Sequence, residues 1–261
     1  RNITGPGGDL VRIEVFCHGA LCMAVSGKCY LSLDNFGTSA NRGACVQPCR
    51  RGYEVTDRDK EITLAIENEY IMSPKDLCTL PFLDKVLASG VKVLKIEGRG
   101  RSPEYTKLTV SVYREAVDAV RNGTFDEEKV AAWLARLKSV YNRDFWDGYY
   151  LGRKMGEWTT KYGSQATKTK LFVGTVTNFF GKISVAEIRM ETHDIKLGDE
   201  IMIIGPSTGV YEDTVREIRV DLNPVEMSVK GELCSIPTND TVRRGDKVYK
   251  IIDANQDNAT L

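Results

Sequence analysis

Six cysteines fall in one early stretch of the chain, at Cys17, Cys22, Cys29, Cys45, Cys49 and Cys78, and His18 stands beside the first. Most lie in polar, Gly-rich sequence rather than in the apolar pattern that buries a structural thiol. Thiolates are soft ligands that select zinc, copper(I) or iron–sulfur clusters. No Cys-x-x-Cys pair occurs, so zinc ribbons and fingers do not match. The irregular intervals suit a site whose ligands arrive from several loops of a folded scaffold. Six buried structural thiols are the competing reading, and the polar surroundings speak against it. Cys234 stands apart in a strand pattern and reads as core.

Two further groups of residues could do chemistry. Glu97, Arg99 and Arg101 follow an apolar run over residues 91–96, and in a βα barrel residues after a strand line the active-site mouth. Guanidinium groups grip carboxylates bidentately, and Glu97 could move a proton beside them. A surface salt-bridge cluster is the alternative. Phe145, Trp146, Tyr149, Tyr150 and Trp158 are interleaved with Arg143, Arg153 and Lys154. Aromatics with cations can stack unpaired bases, but the reading preferred here is that these rings pack a linker.

The elements that must position these groups fall into two patterns. Residues 11–16 alternate and are β-branched, so they read as a strand. Residues 17–51 read as a long functional loop, and residues 62–72 as extended. Ser73-Pro74-Lys75-Asp76 looks like a helix start, with the helix running to Ser89, stopped at Gly90 and open to a split at Pro81. Residues 91–96 resemble a strand buried on both faces. Ser102-Pro103-Glu104 opens a helix that Asn122-Gly123 closes, and a second follows from Asp126 with Val130, Trp133, Leu134, Leu137 and Val140 on one face. This βα rhythm belongs to a parallel sheet or barrel.

Residues 159–170 read as a linker, after which the period becomes two. The segments 172–176, 183–188 and 200–204 alternate, and residues 195–204 resemble residues 242–251, each a Gly-Asp turn feeding a strand. Short strands with regular turns make a small antiparallel β-barrel. The expected domains are therefore 1–160, a βα domain with the cysteine loop, and 168–253, the small β-barrel. A full eight-fold βα barrel needs roughly 250 residues, so the first domain is expected to be only the later half of one. Its first half would come from missing residues or a partner chain.

The chain has 261 residues with formal net charge +0, so any contact with nucleic acid must come from a local patch. No apolar run approaches the length of a membrane span. An odd number of cysteines among long, well-patterned elements points to a reducing, cytosolic setting rather than a disulfide scaffold.

Phe16-Cys-His-Gly-Ala-Leu-Cys-Met-Ala-Val-Ser-Gly-Lys-Cys-Tyr-Leu-Ser and Ala40-Asn-Arg-Gly-Ala-Cys-Val-Gln-Pro-Cys-Arg-Arg closely resemble the signature of peptidase family U-32, the collagenase-like proteins. Tyr70-Ile-Met-Ser-Pro-Lys-Asp-Leu-Cys, Leu94-Lys-Ile-Glu-Gly-Arg-Gly-Arg-Ser-Pro-Glu-Tyr and Phe145-Trp-Asp-Gly-Tyr-Tyr-Leu-Gly-Arg fit it too. The resemblance implies a TIM-like N-terminal (βα) barrel. The C-terminal barrel resembles domain II of elongation factors and the branch of the family that hydroxylates tRNA. That branch makes wobble 5-hydroxyuridine without molecular oxygen, using prephenate, whose two carboxylates would suit Arg99 and Arg101. Relatives in ubiquinone synthesis carry a 4Fe–4S cluster on four cysteines, which by motif position correspond to Cys22, Cys29, Cys45 and Cys78. Cys49 and His18 are second candidates, and Cys17 stands where valine is more usual.

The family name claims proteolysis, and the residues give it little. There is no His-Glu-x-x-His and no Gly-x-Ser-x-Gly. A Cys–His pair would need His18 as base and Cys22 as nucleophile, with no orienting partner. His193 falls at a turn of the small barrel. A third reading is a zinc-bridged homodimer, with His18 and Cys22 from two copies meeting at one ion. The favoured expectation is an iron–sulfur tRNA-hydroxylation protein, with a hydrolase of the peptidase kind as its rival.

Overall fold

The computed structural model describes residues 3–24, 29–54, 70–152 and 156–255. The chain divides into two compact units, 1–166 and 167–261. The first contains β1 (Glu14–Gly19), α1 (Tyr30–Phe36), β2 (Asp76–Cys78), α2 (Leu83–Ala88), β3 (Val93–Ile96), α3 (Pro103–Arg121), α4 (Glu127–Lys138) and β4 (Phe145–Trp146). Its sheet runs β3-β1-β2-β4. β1 pairs parallel with β3 and β2 parallel with β4, but β1 and β2 are antiparallel, with His18 opposite Cys78. That central pairing departs from the all-parallel order of a βα barrel, so the unit is a mixed α/β layer.

The two long helices form where the pattern asks for them. Pro103 occupies the first turn of α3, and Gly123 beyond its end takes φ 68°. Asp126 caps α4 by accepting from the Lys129 backbone N–H at 2.8 Å. Trp133 and Leu137 of α4 are buried with Val112, Tyr113 and Ala116 of α3 in one core cluster, which also holds Cys17 and Cys78.

Several expectations need correcting. Residues 74–78 are not helical. Lys75 N–H donates to Glu157, Asp76 N–H donates to Asp144, and residues 76–78 join the sheet, so tertiary pairing overrides the Ser-Pro start signal. Pro81 lies in a 3₁₀ turn, Leu80–Phe82, and the α-helix begins only after it. β3 is half exposed rather than buried on both faces, because it is the outer strand of the described sheet. The segment over 17–51 is more ordered than a loop, with β1 reaching Gly19 and α1 inside it. Residues 70–72 are a turn, and residues 62–69 lie outside the described residues.

Gly19 shows how tightly β1 meets β3. It takes φ 115°, and a Cβ there would stand 2.4 Å from the Glu97 carbonyl oxygen. Only glycine allows this approach.

The second unit consists of β5 (Lys168–Phe180), β6 (Val185–Met190), β7 (Ile195–Lys196), β8 (Glu200–Gly205), β9 (Gly209–Thr214), β10 (Ile218–Val220), β11 (Asn223–Val225), β12 (Met227–Ser228), β13 (Leu233–Pro237) and β14 (Lys247–Asp253). Eight of them form one sheet, β11-β10-β13-β6-β5-β14-β8-β9, antiparallel throughout, and β7 pairs with β12. The period of two places Val173, Ile188, Ile203, Ile218, Ile236 and Cys234 in a single core. The two Gly-Asp repeats feed β8 and β14, which lie hydrogen-bonded side by side.

Candidate metal centre

The cysteines separate into two groups. Cys22 follows β1 and is exposed, Cys29 immediately precedes α1, and Cys45 is exposed after the turn at Gly43. Cys49 lies half-buried in the 3₁₀ turn Pro48–Arg50. Burial raises the Cys49 pKa, the Arg50 charge opposes this, and the thiols of Cys45, Cys22 and Cys29 raise it further. Cys49 is thus within electrostatic reach of each of the other three. Cys29 is pushed the other way, its pKa lowered chiefly by the backbone N–H of Ser32 in α1.

Cys78 belongs to the other group. It is buried beside Cys17, with its sulfur 3.8 Å from the Tyr113 hydroxyl. That hydroxyl donates to the Cys17 carbonyl at 2.8 Å, accepts from Thr79 N–H at 3.2 Å and lies 3.4 Å from His18 Nδ1. Burial pushes Cys17 up to about 12 and Cys78 up to about 11. The thiol that feels Cys22, Cys29 and Cys45 is Cys49, whereas Cys78, which the resemblance implies as a ligand, is buried beside Cys17. The register explains this: Cys78 is opposite His18 in the sheet, so its side chain enters the α3–α4 core. Among the described residues no three His, Cys, Asp or Glu side chains already form a coordination shell. The thiols of this loop nevertheless offer the donor chemistry of a thiolate-held centre.

His18 is buried against Tyr105, Tyr113 and Phe145. Burial first, and the Arg101 charge second, lower its pKa to about 3. So weak a base cannot usefully take a proton from a thiol at neutral pH, and a buried ring is not presented to a second copy. Both the Cys–His dyad and the His18–Cys22 zinc bridge between protomers fail on this burial.

Arg50 is the positioning residue that the motif contained but spacing did not single out. Its Nη1 donates to Ser73 Oγ at 3.1 Å and to the Pro74 carbonyl at 2.6 Å, and its Nη2 donates to the Leu21 carbonyl at 2.7 Å. The residue next to Cys49 thus ties its turn to the segments bearing Cys22 and Cys78. Its position directly after a loop cysteine was the available signal.

The expected donor-gripping triad is split. Arg101 Nη2 pairs with Asp76 Oδ2 at 2.8 Å, and its guanidinium lies 4.3 Å from the Tyr141 ring centre. Arg143 also approaches Asp76, at 3.7 Å, and its backbone N–H donates to the same carboxylate. Arg99 is exposed, its Nη1 lying 3.9 Å from where a Gly43 Cβ would stand. Glu97 accepts from the Arg99 backbone N–H at 2.9 Å. Of the aromatic stretch, Trp146 is buried and donates to the Lys75 carbonyl, and Tyr150 donates to the Phe16 carbonyl, so these rings pack the first unit. Arg153 and Lys154 lie outside the described residues.

Residues 6–160, more than half the chain, match the model of peptidase family U32. This chain belongs to that family. It is 55% identical over 249 residues to a collagenase of Porphyromonas gingivalis, covering 95% of this chain and 60% of the relative. It is 34% identical over 217 residues to tRNA hydroxylation protein P1 of Bacillus subtilis, covering 80% of this chain and 50% of the relative. Over 108 residues it is 42% identical to the 23S rRNA 5-hydroxycytidine C2501 synthase of Escherichia coli, covering 41% of this chain and 16% of that protein. The chain thus spans 60% or less of each of these U32 relatives. Among the described residues no helix is long and apolar enough to cross a membrane.

Proposed function

We propose that this U32 chain carries the thiolate centre of an RNA-hydroxylating protein, a 4Fe–4S cluster held by Cys22, Cys29, Cys45 and Cys49. The observation that carries the reading is that Cys49 lies within electrostatic reach of Cys22, Cys29 and Cys45 while its neighbour Arg50 ties the turn to Leu21, beside Cys22. The relatives that modify tRNA and rRNA support the reaction class. When bound, the cluster would supply one-electron chemistry. The chain's own residues do the positioning: Arg50 holds the loop, and Asp76 anchors Arg101 and Arg143. Wobble uridine of tRNA is the proposed substrate, 5-hydroxyuridine the product and prephenate the hydroxyl donor. The first unit is proposed as the later part of a TIM-like barrel, made irregular by the antiparallel β1–β2 pairing and completed by a preceding segment or a partner. Exposed Phe16 on β1, Val93 on β3 and Ile13 just before β1 support that, being apolar positions at an open sheet.

The test is direct. Protein purified without oxygen should be brown and hold iron and sulfide at about four each per chain. Cells lacking the gene should lose wobble 5-hydroxyuridine derivatives, read by mass spectrometry of tRNA nucleosides. Colourless protein with stoichiometric zinc, unchanged nucleosides and cleavage of gelatin would establish the collagenase reading instead.

A further inference from the structure

A cavity of about 520 Å³ opens in the first unit beside the cysteine loop. Cys45 forms part of its wall, with Arg50, Arg51, Arg143, Lys161 and Tyr162 around it. Four of these six are cations, and among the described residues no carboxylate lines the cavity. Such a lining selects an anion. The volume falls within the roughly 300–1,000 Å³ of small-molecule sites, and it holds a base, ribose and phosphate together.

The cations differ in how far they are committed. Arg50 already donates to Ser73, Pro74 and Leu21, and Arg143 is turned toward Asp76 and Gln47. They supply a fixed positive field rather than free hydrogen-bond forks. Arg51 and Lys161 are exposed, and among the described residues neither makes an ion pair. Arg51 rests over the Phe36 ring, which leaves its guanidinium edge free for phosphate oxygens. The Tyr141 ring is already approached by Arg101 and Arg143, but Tyr162 is 71% exposed and, among the described residues, its ring meets only Tyr70 in a tilted contact. Free cations on the rim, an open aromatic face and a buried positive field suit a nucleotide. They suit a compact dicarboxylate less, because the inner guanidiniums that would grip it are spent on protein acceptors.

We propose that this cavity takes one unpaired nucleotide of an RNA chain, its base stacked on Tyr162 and its phosphates on Arg51 and Lys161. This rests on the RNA-hydroxylation reading, and it sets the nucleotide against Cys45 of the proposed cluster. The test uses the full chain and a fluorescein-labelled heptauridylate, measured by anisotropy, with a blunt duplex of equal length as control. The single strand should bind at least tenfold more tightly than the duplex. Tyr162→Ala should weaken binding about tenfold, within the range of one base stack. Arg51→Gln and Lys161→Gln should each weaken it severalfold and lower the salt slope by about one. All three side chains are on the surface, and unchanged melting curves will show the fold intact. Wild-type affinity in the three variants, equal binding of the duplex, or displacement of the RNA by millimolar malonate overturns the assignment. The hydroxylation reading is decided separately by cellular nucleosides. If 5-hydroxyuridine disappears on deletion but the variants bind normally, the cavity assignment fails alone. If nucleosides are unchanged while the variants lose binding, the cavity stands as an RNA site and the reaction fails.

Discussion

Arg101 Nη2 lies 2.8 Å from Asp76 Oδ2, with the carboxylate side chain 1% exposed and the guanidinium 5%. Asp76 is the carboxylate that Arg101 and Arg143 share, and Arg50 lies close enough to feel both guanidiniums and Asp76. Removing one partner of a buried pair leaves the other charge uncompensated. Asp76→Asn should therefore cost about 4 kcal/mol of stability, read by urea unfolding. A midpoint within error of wild type would show that water reaches this pair.

The same geometry separates two arginines that the sequence presents as equivalent. Arg101→Gln should lower stability nearly as much as Asp76→Asn, whereas Arg99→Gln, on an exposed side chain, should shift it by less than about 0.5 kcal/mol. Parallel urea melts of the two variants settle the contrast, and equal losses would refute it.

Cys49→Ala and Cys78→Ala distinguish the two ligand sets. With Cys49 as ligand, its alanine variant should lose most of the iron of anaerobically purified protein, as should those of Cys22, Cys29 and Cys45. Cys78→Ala should keep most of its iron yet unfold more readily, because its sulfur fills space against Tyr113. The reverse pattern of iron loss would restore the ligand set drawn from motif position.

His18 makes stability depend on pH in one direction. Its folded pKa is lowered to about 3, below the unfolded value of about 6.5. Below pH 6.5 the unfolded chain binds a proton that the folded chain refuses, so stability falls as the pH drops from about 6.5 toward 3. Urea titrations across that window should show the loss, and His18→Gln should flatten it. A variant with the same slope as wild type would locate the acid sensitivity elsewhere.

Gly19→Ala places a methyl group against the Glu97 carbonyl at a φ that alanine disfavours. The expected cost is about 3 kcal/mol. Thermal melting checks it, and an unchanged midpoint would mean that β1 and β3 can separate at that end.

Much of this architecture was legible because local signals agreed with the tertiary ones. The caps and apolar faces of α3 and α4, the period of two after residue 168 and the Gly-Asp turns all rest on short-range chemistry. The stretch at Ser73 was not, because its backbone groups are claimed by Asp144 and Glu157, some seventy to eighty residues away. The cysteine grouping was half legible. Residue type marked the loop thiols as candidate ligands and the resemblance named four, while whether Cys78 faces the loop or the core depends on its pairing. That follows from its register opposite His18, which no local pattern encodes. Asp76 stayed hidden for a similar reason, being read as the first turn of a helix.

The three hydrogen bonds of Arg50 bear on how such a centre would be filled. Many small metal domains fold only as their ion arrives. Here the turn carrying Cys49 is anchored to Leu21, Ser73 and Pro74 by an arginine that is not itself a ligand. Loop closure is thus already met by the protein's own contacts, and little chain entropy remains for the metal to overcome. If the proposed cluster is held here, its loss should leave a standing cradle that iron and sulfide refill without a round of refolding.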